Sequence, residues 1–89
     1  MKTEEQEEIL TEEIKTKAYN LILYNDDFNT FDHVIGCLIS ICKHSVEQAE
    51  QCTYLVHYKG KCKVKAGSLN QLKPMLEGLT SQGLTAEIK

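Results

Sequence analysis

The chain has 89 residues, a length that suits one domain with a small, closely packed core. Its hydrophobic fraction of 42% is that of a globular fold, yet no apolar run approaches the ~20 residues that span a bilayer. The net charge of -3 includes no arginine and no basic cluster, so neither nucleic acid nor membrane is expected as a partner.

Residues 1–18 hold six Glu and three Lys with few apolar residues, and they carry the whole net charge. Self-repulsion and little to bury predict a flexible acidic leader, with the folded core over 19–89. The leader has no apolar signal stretch, so a cytoplasmic setting is expected.

Residues 19–24, Tyr-Asn-Leu-Ile-Leu-Tyr, predict a strand. Tyr19, Leu21 and Leu23 share one face, and Ile22 and Tyr24 share the other. Apolar side chains on both faces suit a central strand. Asn25 to Asn29 end it, because Asn and Asp side chains accept nearby backbone N–H groups and favour turns.

A helix over roughly 31–43 follows, capped by Asn29 or Thr30. Phe31, Val34, Ile35, Leu38, Ile41 and Cys42 form its apolar stripe. Gly36 within it either permits close packing or is merely tolerated. Ser45 and Gln48 predict a capping box for a second helix, whose stripe is Val46, Ala49, Thr53 and Val56 and whose stop is Gly60.

Residues 61–66 alternate, which predicts an edge strand with Cys62, Val64 and Ala66 inward and three lysines outward. Ser68 and Gln71 offer another capping box, with Leu69, Leu72, Leu76 and Leu79 as the third helical stripe. Pro74 conflicts with a straight helix from Ser68 and predicts either a late start near Lys73 or a kinked first turn. Leu84 to Ile88 predict a short last strand.

The order β-α-α-β-α-β predicts a small two-layer α/β sandwich, a three-stranded sheet with three helices on one face. The first strand lies between the other two and antiparallel to both. Cys37, Cys42, Cys52 and Cys62 contain no Cys-x-x-Cys pair, and nothing in the chain points to an oxidising compartment, so they are expected to be small buried hydrophobes rather than metal ligands or a disulfide set. No cofactor is expected.

The turn is the first candidate for a site, because Asp26 and Asp27 gather negative charge between strand and helix. His57, at the end of the second helix, is positioned to return beside it. A hydrolase using His57 as base with Asp26 orienting it is one reading, although no nucleophile elbow is present. A metal held by Asp26, Asp27 and His57 is another, without a recognised spacing. A third is an acceptor cage: Asn Oδ, a carboxylate and one His nitrogen match the three protons of a primary ammonium. A plain interaction domain with none of these remains open as well.

The run Tyr19–Phe31 followed by Val34-Ile35, together with Val56-His57-Tyr58-Lys59-Gly60-Lys61, resembles the ClpS adaptors in order and spacing, from Tyr19 to about Val64. The resemblance implies a non-enzymatic adaptor. It would bind proteins with bulky hydrophobic destabilising N-terminal residues and deliver them to an AAA+ Clp unfoldase of the ClpA type or a relative. It further implies that Asn25, Asp26 and His57 bind the substrate α-ammonium, with Asp27 and Asn29 shaping the turn and entrance. Phe31, Thr53, Val56 and Leu84 would form the side-chain pocket. Phe31 and Thr53 depart from the family's frequent Met at both positions. The implied docking region carries Lys61, Lys63, Asn70 and Pro74 in place of the familiar pattern, and residues 1–18 correspond to the family's leader.

Overall fold

The computed structural model describes residues 17–89, so the leader expected over 1–18 lies almost wholly outside the described residues. The elements are β1 (Tyr19–Tyr24), α1 (Phe31–Cys42), α2 (Val46–Lys59), β2 (Lys61–Gly67), α3 (Leu69–Ser81) and β3 (Thr85–Ile88). The sheet order is β2-β1-β3, and β1 is antiparallel to both neighbours. The three helices cover one face, as expected from three apolar stripes and one sheet.

Leu21 and Leu23 of β1, Leu38 of α1, Ala49 of α2, and Leu72 and Leu79 of α3 are almost fully buried and form the centre of the core. The outer face of the sheet is more polar. There the Tyr24 hydroxyl donates to the Glu87 carboxylate, which also pairs with Lys89 at 3.2 Å.

Each helix begins where a side-chain oxygen satisfies an otherwise orphaned amide. Thr30 caps α1, and its hydroxyl accepts from His33 N–H at 3.1 Å. Ser45 and Ser68 form reciprocal capping boxes with Gln48 and Gln71. The last box corrects the expectation about Pro74. Helix α3 starts at Leu69, and Pro74 sits inside it. The capping box anchors the first turn, while the missing proline amide falls opposite the carbonyl of exposed Asn70, where water can serve it.

The expected alternation in β2 also fails partway. Ile22 pairs with Lys63 but Leu21 pairs with Lys65, so Val64 is an extra residue in β2. Such a bulge reverses the phase of the strand beyond it. Lys65 therefore lies on the same face as core Leu21, and its ammonium donates to the Cys42 carbonyl at 3.2 Å. Ala66 is exposed instead of facing the core. Val46 and Leu69, the first members of their stripes and the first residues of α2 and α3, are also exposed.

Glycine serves two different purposes. A Cβ on Gly36 would meet nothing within 4 Å, so this residue is only tolerated. A Cβ on Gly78 would lie 3.1 Å from the Ile41 side chain, which marks a close approach of α1 and α3.

Candidate functional site: a cleft between the β1–α1 turn and α2

Backbone pairing brings the two halves of the site together. Asn25 N–H donates to the Gly60 carbonyl at 3.0 Å, which carries the β1–β2 contact one step past the strand. Gly60 ends α2 at φ 93°, a conformation in which a side chain would be strained. The tight reversal places His57, three residues earlier, across from Asn25.

Asp26 builds the turn itself. Its Oδ1 accepts from Phe28 N–H at 2.9 Å and Asn29 N–H at 3.0 Å, and its Oδ2 accepts from Asn29 Nδ2 at 2.8 Å. Burial by itself would raise the Asp26 pKa. The Phe28 amide, both Asn29 donors and the charge of His33 outweigh it and hold the carboxyl below the usual carboxylate range. Asn29 Nδ2 also reaches the Gly83 carbonyl at 3.0 Å, and His33 Nε2 donates to the Gln82 carbonyl at 2.9 Å. The turn is thereby pinned to the end of α3. Asp27 lines the same cleft and is exposed, and Phe28 points almost wholly into solvent.

The cleft has a volume of about 310 Å³. Asn25, Asp26, Asp27, Asn29, Phe31, Thr53, Val56 and His57, all singled out from the sequence, line it. Leu84 does not. It reaches the site through an adjoining chamber of about 20 Å³, which shares Asn25, Asp26, Asn29, Val34 and Val56 with the main cleft. Thr30 and Val34 complete the main lining and were not singled out as site residues. Val34 lies one helical turn from Phe31 on the same apolar stripe, and this spacing was the available signal.

Aromatic contacts fix the rim. The Phe31 ring meets His57 edge-on at 5.1 Å and Tyr54 at 5.4 Å. Tyr58 closes the group, edge-on to His57 at 4.8 Å and stacked on Tyr54 at 5.9 Å. Such contacts restrict an otherwise exposed imidazole. On the wall, Val56 is buried, and the Thr53 hydroxyl donates to the Ala49 carbonyl at 2.7 Å, so its proton is not available to a ligand.

This geometry bears on the alternatives. A dyad would need Asp26 to orient His57, but the hydrogen bonds of Asp26 stay within the turn. Among the described residues, no group of three or more His, Cys, Asp or Glu side chains is arranged to hold a metal. Among the same residues, no helix is long and apolar enough to cross a membrane. What the cleft does offer is a set of oxygen and nitrogen acceptors at its mouth and valine on its wall. Lys61, Lys63, Asn70 and Pro74, from the implied docking region, are all exposed.

Comparison with known proteins follows the same lines. The family model described as ATP-dependent Clp protease adaptor protein ClpS matches residues 14–87. An adapter protein ClpS from Thermosynechococcus vestitus is 41% identical over 68 residues, covering 75% of this chain and 72% of that protein. The corresponding protein of Nostoc sp. is 38% identical over 68 residues, covering 75% and 70%. The solved structure of Agrobacterium tumefaciens ClpS2 bound to L-phenylalaninamide shares the fold, with a TM-score of 0.70 at 19% identity, over 82% of this chain and 95% of that one.

Proposed function

The chain belongs to the ClpS family of ATP-dependent Clp protease adaptor proteins, and we propose that its cleft recognises the free N-terminus of a substrate protein. It is a non-catalytic adaptor that delivers N-degron substrates to a Clp/Hsp100 unfoldase. In this reading Asn25, Asp26 and His57 accept the three protons of the substrate α-ammonium. Asp27 adds negative potential at the mouth, and Asn29 holds the entrance. Phe31, Thr53, Val56 and, from the inner chamber, Leu84 receive the first side chain.

The observation that carries the reading is the convergence of Asn25, Asp26 and His57 on one cleft beside Val34 and Val56. An acceptor set next to an apolar wall fits a charged amine attached to a hydrophobic side chain. The low pKa of Asp26 supports it, since the carboxylate stays charged through the physiological range. A volume near 310 Å³ accommodates one bulky residue. Phe, Tyr, Trp and Leu are therefore the expected first residues. The unfoldase partner is of the ClpA type or a relative, docked through the exposed region of Lys61, Lys63, Asn70 and Pro74, and residues 1–18 serve delivery.

Fluorescent peptides identical except for the first residue test this. Those starting with Phe, Tyr, Trp or Leu should bind, and N-acetylation should abolish binding by removing the charge and two of the three donors. Equal affinity for an acetylated peptide would contradict the ammonium cage.

A further inference from the structure

The described cysteines fall into two classes. Cys37 and Cys42 both lie on α1, buried in the core. Burial is the main reason that the Cys42 thiol is pushed up to about 11. Cys52 of α2 and Cys62 of β2 come from different elements, and their Sγ atoms are only 3.0 Å apart. A disulfide needs about 2.05 Å, so bond formation asks for an approach of roughly 1 Å. Cys52 is half-buried, and Cys62, although buried, sits at the floor of a cleft of about 520 Å³ lined also by Ile22, Leu55, Lys59, Lys61 and Lys63, which gives a small oxidant a way in.

We propose that Cys52 and Cys62 are a redox modification site, forming a reversible disulfide that ties α2 to β2 across the turn at Gly60. The co-reactant is a low-molecular-weight disulfide. The Cys62 thiolate attacks one of its sulfurs and releases one small thiolate, leaving a mixed disulfide on Cys62. Cys52 loses its proton to solvent and attacks the Cys62 sulfur, expelling the second small thiolate. Two protein thiols are oxidised and one small disulfide is reduced to two thiols, so atoms and electrons balance.

Cys62, not Cys52, lines the cleft, so Cys62 meets the oxidant first and Cys52 is the resolving thiol. Burial, followed by the hydrogen bond and charge of the Cys62 thiol, pushes Cys52 up to about 12, so its step quickens as pH rises. The enclosed segment carries Thr53, Val56 and His57, so the bond fastens one wall of the cleft to the sheet. The inference is independent of peptide recognition.

The test uses the full reduced chain with excess oxidised glutathione, followed by alkylation in denaturant, digestion without reductant and mass spectrometry. The expected product is a monomer about 2 Da lighter than the reduced chain before alkylation, whose digest shows Cys52 joined to Cys62 and Cys37 and Cys42 alkylated. The rate should rise between pH ~7 and ~9, and dithiothreitol should reverse the reaction. The melting temperature of the oxidised form should increase by on the order of 10 °C, because a short loop is closed in the unfolded chain. The Cys52→Ser variant should trap glutathione on Cys62. Four alkylated cysteines after oxidation, pairing with Cys37 or Cys42, cross-linked dimers, or a Cys52→Ser protein free of glutathione would each overturn the proposal.

Discussion

At the C-terminal end of α1, polar side chains turn inward. His44 is buried, and its Nε2 donates to the Val64 carbonyl at 2.6 Å. Lys65 reaches back from the bulge to the Cys42 carbonyl. At the N-terminal end of the same helix, Asn25, Asp27 and His57 are exposed around an open cleft. Both ends gather polar residues next to the core. At one end those groups complete backbone valences that the bulge and helix end leave unmet, so they serve the fold. At the other the turn is held by Asp26 and Asn29, which leaves neighbouring acceptors facing solvent for a ligand.

Mutations at the two ends should therefore separate stability from binding. The largest stability effect is expected from His44→Ala, which leaves the Val64 carbonyl unpaired and opens a buried space. Denaturant unfolding should show a loss of roughly 2–4 kcal/mol. Binding by the fraction that remains folded should be unchanged. His57→Ala should behave oppositely. Losing one acceptor for a charged donor should weaken an N-terminal Phe peptide by about 1.5–3 kcal/mol, roughly ten- to a hundredfold. Its effect on stability should stay within ~0.5 kcal/mol, as for other exposed positions. A His57→Ala protein that unfolded easily but bound normally would reverse the comparison.

Gly60→Ala probes the joint between α2 and the turn. No neighbour lies within 4 Å of its missing Cβ, so the expected cost of about 1–2 kcal/mol is purely the left-handed backbone. A calorimetric melt reads that cost directly. Lys43 provides the control at the other end of the comparison, since it holds φ 62° without being glycine. Lys43→Gly should therefore stabilise by up to ~1 kcal/mol.

Acid offers the smallest effect. The folded pKa of Asp26 is lowered relative to its unfolded value, so its contribution is fully present above the unfolded pKa near ~3.9. It is lost as pH falls through the lower, folded value. Melting temperatures of the wild type and Asp26→Asn should differ at pH ~6 and converge as pH falls through the folded pKa. Because Asp26 is only half-buried, the difference should be modest.

Much of this was legible in the sequence because short-range chemistry marks it. The strand over 19–24 and the Ser45 and Ser68 caps each depend on residues within a few positions. The bulge was not legible. Lys61 to Ala66 alternate without interruption, and only pairing with β1 reveals that Val64 is extra. Pro74 was misleading because a capping box outweighed local helix chemistry. In the site, acceptor residues and the apolar spacing of Phe31 and Val56 could be read directly. The partners of those acceptors could not. That Asp26 bonds Phe28 and Asn29, and that Gly60 holds Asn25, are facts of three-dimensional closure.

The most direct test of ammonium recognition is an NMR titration of the isotope-labelled chain with a peptide beginning in Phe, beside its N-acetylated twin. The free peptide should shift resonances of Asn25, Asp26 and His57 and leave His44 and Lys65 unmoved, while the acetylated one should shift none of them. Equal shifts from both peptides, or shifts centred on His44 and Lys65, would contradict the account.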